Sequence, residues 1–145
     1  MIQLGIELEP LSPLIAHTWV MNAIFSRRYG EARERALQSL SVNPHLFLLH
    51  LWLGVTYLFE QKFDEAIQAI ERAADLTAGK ISWVTGSLGH AHAFAGNPRE
   101  ALHWTEKACD AIGFISVWLA GDPRFDPLRG EPRFQAVLRR MNLPV

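Results

Sequence analysis

Three alanines, Ala32, Ala66 and Ala101, recur 34 and 35 residues apart. Each follows a turn signal: Arg28-Tyr29-Gly30, then Gln61 to Asp64, then Gly96-Asn97-Pro98. Each also separates an upstream apolar helical stretch from a second helical stretch. A unit of this size has one apolar face and cannot bury it alone, so copies must stack on one another. The spacing therefore predicts an all-α chain of three helix–turn–helix repeats. A small residue at the start of each second helix lets it cross the first closely. Gly54 and Gly89, 35 residues apart, mark the first helices in the same way. A mid-helix glycine costs about 1 kcal/mol relative to alanine, so its recurrence predicts a packing requirement at both places.

The middle unit carries Leu53-Gly54, Tyr57, Ala66, Ile70 and Ala73, with His50 four residues before the glycine. The third keeps Leu88-Gly89, Gly96, Ala101 and Ala108, with His92 in place of the tyrosine. The first keeps Tyr29, Ala32 and Pro44, and has Trp19-Val20 where Leu-Gly stands later. This pattern resembles the tetratricopeptide repeat family, whose members often carry a tryptophan where His50 stands. The resemblance spans roughly residues 13–114 and implies an α-α superhelix, a TPR solenoid. The expected organisation is one domain: a partial unit over 1–12, repeats over about 13–46, 47–81 and 82–115, and a C-terminal cap over 116–145.

Both ends extend the pattern. Leu8-Glu9-Pro10 parallels Val42-Asn43-Pro44 at an interval of 34, which predicts the remnant of a preceding unit. On that reading the chain is the C-terminal piece of a longer array, and Leu14, Ile15, Trp19 and Val20 are poorly covered. Asp122-Pro123 and Asp126-Pro127 read as helix starts, because a carboxylate caps free amides and proline lacks the donor that is unused there. Phe134, Val137, Leu138 and Met141 share one helical face and predict a final helix docked on the last repeat. This C-terminal run resembles the end of tetratricopeptide regions in bacterial signalling proteins joined to adenylate-cyclase-like or transcriptional regulatory domains. It implies a signalling or regulatory setting and transfers no catalytic residue.

The net charge of −1, from 14 basic and 15 acidic residues, supplies no field for nucleic acid or an anionic membrane. Arg27, Arg28, Arg33 and Arg35 interleave with Glu31 and Glu34, as on a solvated helix face. The single cysteine, Cys109, permits no internal disulfide, sits among apolar neighbours as a buried thiol, and fits the cytoplasm. The apolar stretch from Leu46 to Phe59 is too short to span a bilayer. His90 and His92 lie two apart on a helix, so their side chains diverge and cannot share a metal. No nucleophile elbow or phosphate loop is present. The chain is therefore expected to be non-enzymatic, with no cofactor and no metal.

Function then rests on the concave face that the first helices line. The register places Leu14, His17, Met21, Ile24 and Phe25 there, with Leu48, Leu51, Val55, Leu58 and Phe59, then Trp83, His90, Ala93 and Phe94. Better-known members of the family hold acidic peptide tails with Lys, Arg and Asn on this surface, and this chain has almost none. Hydrophobic residues make up 49% of the chain, and an apolar face of this size must be covered. The expected partner is a hydrophobic protein segment or a second copy, as in a homodimer. Coverage from within the chain is the alternative for the face, and a regulatory or oligomerising appendage is the alternative for the protein.

Overall fold

The computed structural model describes residues 12–109, 126 and 128–145. The partial unit expected before Ser12 and the Asp122-Pro123 helix start lie outside the described residues. Seven helices are described: α1 (Pro13–Phe25), α2 (Tyr29–Val42), α3 (Phe47–Phe59), α4 (Phe63–Leu76), α5 (Ser82–Phe94), α6 (Pro98–Cys109) and α7 (Pro132–Arg140). No strand occurs among the described residues, and the all-α expectation holds. The chain divides into two compact units, Met1–Leu76 and Thr77–Val145.

In the first unit α1 buries Trp19, Val20, Ala23 and Ile24, a stripe at helical spacing that faces the core. Trp19 and Val20 are thus covered, against expectation, while Leu14 is 72% exposed. Tertiary packing of α1 against α2 and α3 supplies the cover. Helix α2 contributes Ala32, Ala36 and Leu40, and α4 contributes Ala66, Ala69, Ile70, Ala73 and Ala74. Small side chains dominate the second helices because the first helices approach closely. A Cβ added at Gly54 would overlap Ile70 Cγ1 and stand 3.0 Å from the Ala66 carbonyl oxygen. Arg33 of α2 hydrogen-bonds Glu60 just past the end of α3, tying the two repeats together. Lys62 Nζ stands 3.4 Å from the other Glu60 oxygen, near enough for charge attraction but not aligned for a hydrogen bond.

The turns obey one rule that the sequence conceals. Arg27, Gln61 and Gly96 occupy equivalent positions, and all three are left-handed, with φ of 58°, 60° and 76°. The next amide in each case donates to the carbonyl five residues back: Arg28 to Ala23, Lys62 to Tyr57 and Asn97 to His92. This closure satisfies carbonyls left free at the helix end. Asn142, with φ of 58°, ends α7 in the same way, and Leu143 donates to Leu138. Only Gly96 advertises the bend. Gly30, expected within the first turn, lies inside α2, and a Cβ there would meet nothing within 4 Å.

In the second unit α5 and α6 pair as a further helix–turn–helix. A Cβ on Gly89 would come within 2.8 Å of Thr105 Oγ1, so this glycine also serves close packing. Helix α7 sets Phe134, Val137 and Leu138 against Ala101, Leu102, Ala108 and Leu128, as the helical face predicts. Arg133 reinforces the contact with two hydrogen bonds to Glu106, at 3.0 and 2.6 Å. Glu131 occupies the cap position of α7 but makes no side-chain cap bond, and Asp126 pairs instead with Arg129. Cys109 is half-buried rather than buried, with its Sγ 3.1 Å from Met141 Sδ.

Candidate functional site

The first helices of the three pairs, α1, α3 and α5, contain no Asp, Glu, Lys or Arg. Their packing faces take up one set of positions: Val20, Gly54 and Gly89 are equivalent and buried. The opposite set forms a seam with steps of four, three and four residues. On α1 it is Leu14, Thr18, Met21 and Phe25; on α3, Leu48, Trp52, Val55 and Phe59; on α5, Trp83, Ser87, His90 and Phe94. None of these twelve side chains is fully buried. Such steps keep side chains in line along a helix, as on the contact edge of a coiled coil.

The two hydroxyls on the seams are bonded within their own helices. Thr18 Oγ1 donates to the Leu14 carbonyl at 2.9 Å, and Ser87 Oγ to the Trp83 carbonyl at 2.8 Å. The Thr18 hydroxyl thus has its partner within α1. Phe25 and Phe59 end their helices at 73% and 55% exposure, and Phe59 stacks flat on Tyr29 with centroids 5.1 Å apart. The seam of α1 is the most open of the three. That of α3 is partly sheltered, since Trp52 and Val55 also rest on the core of the first unit.

His17 flanks the α1 seam and meets Trp52 at a ring-centroid distance of 5.9 Å. Its Nδ1 and the Trp52 Nε1 are buried without a hydrogen-bond partner. Burial pushes the His17 imidazole below its ordinary pKa, favouring the neutral ring.

Of the side chains expected on this face, Leu14, Met21, Phe25, Leu48, Val55, Phe59, Trp83, His90 and Phe94 lie on the seams. His17 lies beside one, half-buried, and so do Leu58 and Ala93. Ile24 and Leu51 differ, being 4% and 2% exposed, and neither presents surface. Leu51 is rotated about 70° of helix from the centre of the α3 seam, toward the core. Thr18, Trp52 and Ser87 complete the three seams, the first exposed and the other two half-buried, and sequence reasoning missed them. The four-three-four spacing would have found them, had polarity not hidden two of the three. His92 is buried at 8% exposure and His90 is half-buried, so the two diverge as their spacing requires. No group of three or more metal-ligating side chains occurs among the described residues. No helix among them is long and apolar enough to cross a membrane.

No protein-family model matches the sequence, and no curated protein matches it. Solved structures do share its fold. MamA (RS-1, ArsTM double mutant) superposes with a TM-score of 0.76 at 13% identity, covering 97% of this chain and 79% of that one. YrrB, described as a TPR protein with an unusual peptide-binding site, gives 0.71 at 15% identity, covering 96% and 74%. The type III secretion chaperone SycD of Yersinia enterocolitica, solved with a peptide of the translocator YopD, gives 0.64 at 18% identity, covering 88% and 89%. The chain spans 62% of the length of another MamA structure, from MSR-1. The helical architecture is that of tetratricopeptide repeat proteins.

Proposed function

We propose that the protein is a non-enzymatic binding scaffold whose first-helix seams receive a hydrophobic segment of another protein or of a second copy. One observation carries this reading: uncharged side chains recur in the same four-three-four register on α1, α3 and α5, and none is buried. A solvent-facing helix ordinarily carries charge on its outer face. Three uncharged outer faces in register favour surfaces that are meant to be covered. The peptide-binding site ascribed to YrrB and the peptide held by SycD lend support by analogy of fold. The reading divides the whole chain into one domain of three repeats with a C-terminal cap, and places it in the cytoplasm on the strength of its single cysteine.

The test is a fluorescence-anisotropy titration of labelled apolar peptides, chosen by screening a peptide array against the full chain. Binding is expected, and Phe59→Glu is expected to weaken it at least ten-fold without changing the far-UV circular dichroism. An array on which no apolar peptide is retained, or binding indifferent to Phe59→Glu, would overturn the reading.

A second reading is a regulatory or oligomerising appendage of a bacterial signalling or transcriptional protein. It is favoured by the run from Asp122 to Phe134 and by α7, which seals the apolar face of α6. Sequencing of the surrounding gene would test it: a reading frame with no cyclase-like or DNA-binding domain would remove its support.

A further inference from the structure

The α1 seam is the most open of the three, with Leu14 and Phe25 exposed at 72% and 73%, Thr18 exposed and Met21 half-buried. We propose that its occupant is the α1 helix of a second copy, laid antiparallel across a two-fold axis. The inference deepens the binding reading above and rests on it.

The seam is complementary to itself. Reversed, the steps four, three, four read four, three, four again. An antiparallel copy then sets Leu14 against Phe25 and Thr18 against Met21, and the symmetry repeats both pairs. Each layer joins a smaller side chain to a larger one, which lets the helices interdigitate. The hydroxyl of Thr18 is already satisfied by the Leu14 carbonyl, so covering the methyl strands no donor. His17, beside the seam, faces Asn22 of the second copy in this register.

Charge argues for the same occupant. Helix α1 has no ionisable side chain but His17, which burial keeps neutral, so two copies meet without repulsion. A partner chosen for its charge would find nothing on this helix to read. Arg35 of α2 is taken up by the Trp19 ring, 4.7 Å from its centroid, and past the helix end Arg28 is engaged by Glu31 and Asn22. One pair of 13-residue helices covers less than the roughly 1,200–2,000 Å² typical of stable interfaces. The dimer is therefore weak and reversible.

Sedimentation equilibrium on the full chain reads this directly. A monomer–dimer equilibrium is expected, with a dissociation constant on the order of 10 μM. Thr18→Glu and Met21→Glu are each expected to raise it at least ten-fold, with Leu37→Glu, on the exposed surface of α2, as the unchanged control. Thr18 is exposed, so its variant keeps the test decisive even where Met21→Glu fails to fold. In a Cys109→Ser background, oxidising a mixture of Thr18→Cys and Met21→Cys chains is expected to give a crosslinked dimer. Either variant alone should give little.

A wild-type chain that stays monomeric to several hundred micromolar would overturn the proposal, as would crosslinking by either single variant as efficient as in the mixture. Apolar peptides still captured in a Phe59-dependent way would then leave the broader binding reading intact.

Discussion

Arg27 and Gln61 hold backbone conformations that L side chains rarely adopt, where the third repeat has Gly96. A left-handed residue that is not glycine costs on the order of 1 kcal/mol or more. Gln61→Gly is therefore expected to raise unfolding stability by about 0.5–1 kcal/mol, after glycine's greater freedom in the unfolded chain is subtracted. A rise in the urea midpoint at constant slope would show it. His17 carries the other residue-scale consequence. Its pKa is lowered in the folded chain by burial, so the unfolded chain binds the proton more readily. Stability from this group is present above the unfolded value, near 6.5, and is lost as pH falls through the lower folded value. His17→Gln is expected to flatten that part of the stability–pH curve, and urea melts between pH 7.5 and 5 would measure the difference.

Helices in this chain are positioned by what their small residues permit. Gly54 and Gly30 make opposite predictions although both are helical glycines. At Gly54 the added methyl of Gly54→Ala meets Ile70 and the Ala66 carbonyl oxygen. Overpacking of about 1–3 kcal/mol exceeds the helix-propensity gain of about 1 kcal/mol. A net loss on the order of 1 kcal/mol is expected. Gly30→Ala meets open space and is expected to gain up to about 1 kcal/mol. Chemical denaturation of the pair reads both signs, and a stabilised Gly54→Ala would contradict the close approach of α3 and α4. The 35-residue interval between Gly54 and Gly89 made this requirement legible in advance, whereas the left-handed turns at Arg27 and Gln61 carried no such mark.

For the molecule as a whole, the proposed binding role rests on where charge is absent. Charged residues make up 20% of the chain, yet α1, α3 and α5 contain none. A ligand held on these helices is held by burial of apolar surface, which salt does not screen. Affinity for an uncharged apolar peptide is therefore expected to change less than about two-fold between 50 and 500 mM salt. A steep fall over that range, measured by anisotropy, would point to a charged surface elsewhere on the chain.

The period of 34 and 35 residues was enough to determine the all-α repeat architecture, because a helical hairpin of that length has only stacking to bury its apolar face. The same register foretold that Ala32, Ala66 and Ala101 would be buried, and all three are inaccessible to solvent. The helical spacing of Phe134, Val137, Leu138 and Met141 foretold that α7 would dock on the last helix pair. Tertiary structure decided how each first helix is rotated. Ile24 and Leu51 read as lining in one dimension but are buried, while Thr18 is exposed and Trp52 and Ser87 are half-buried. Periodicity identifies the apolar residues of a helix without saying which of two apolar faces meets the core. When a helix is apolar almost all round, as α3 is, only its neighbours settle that question.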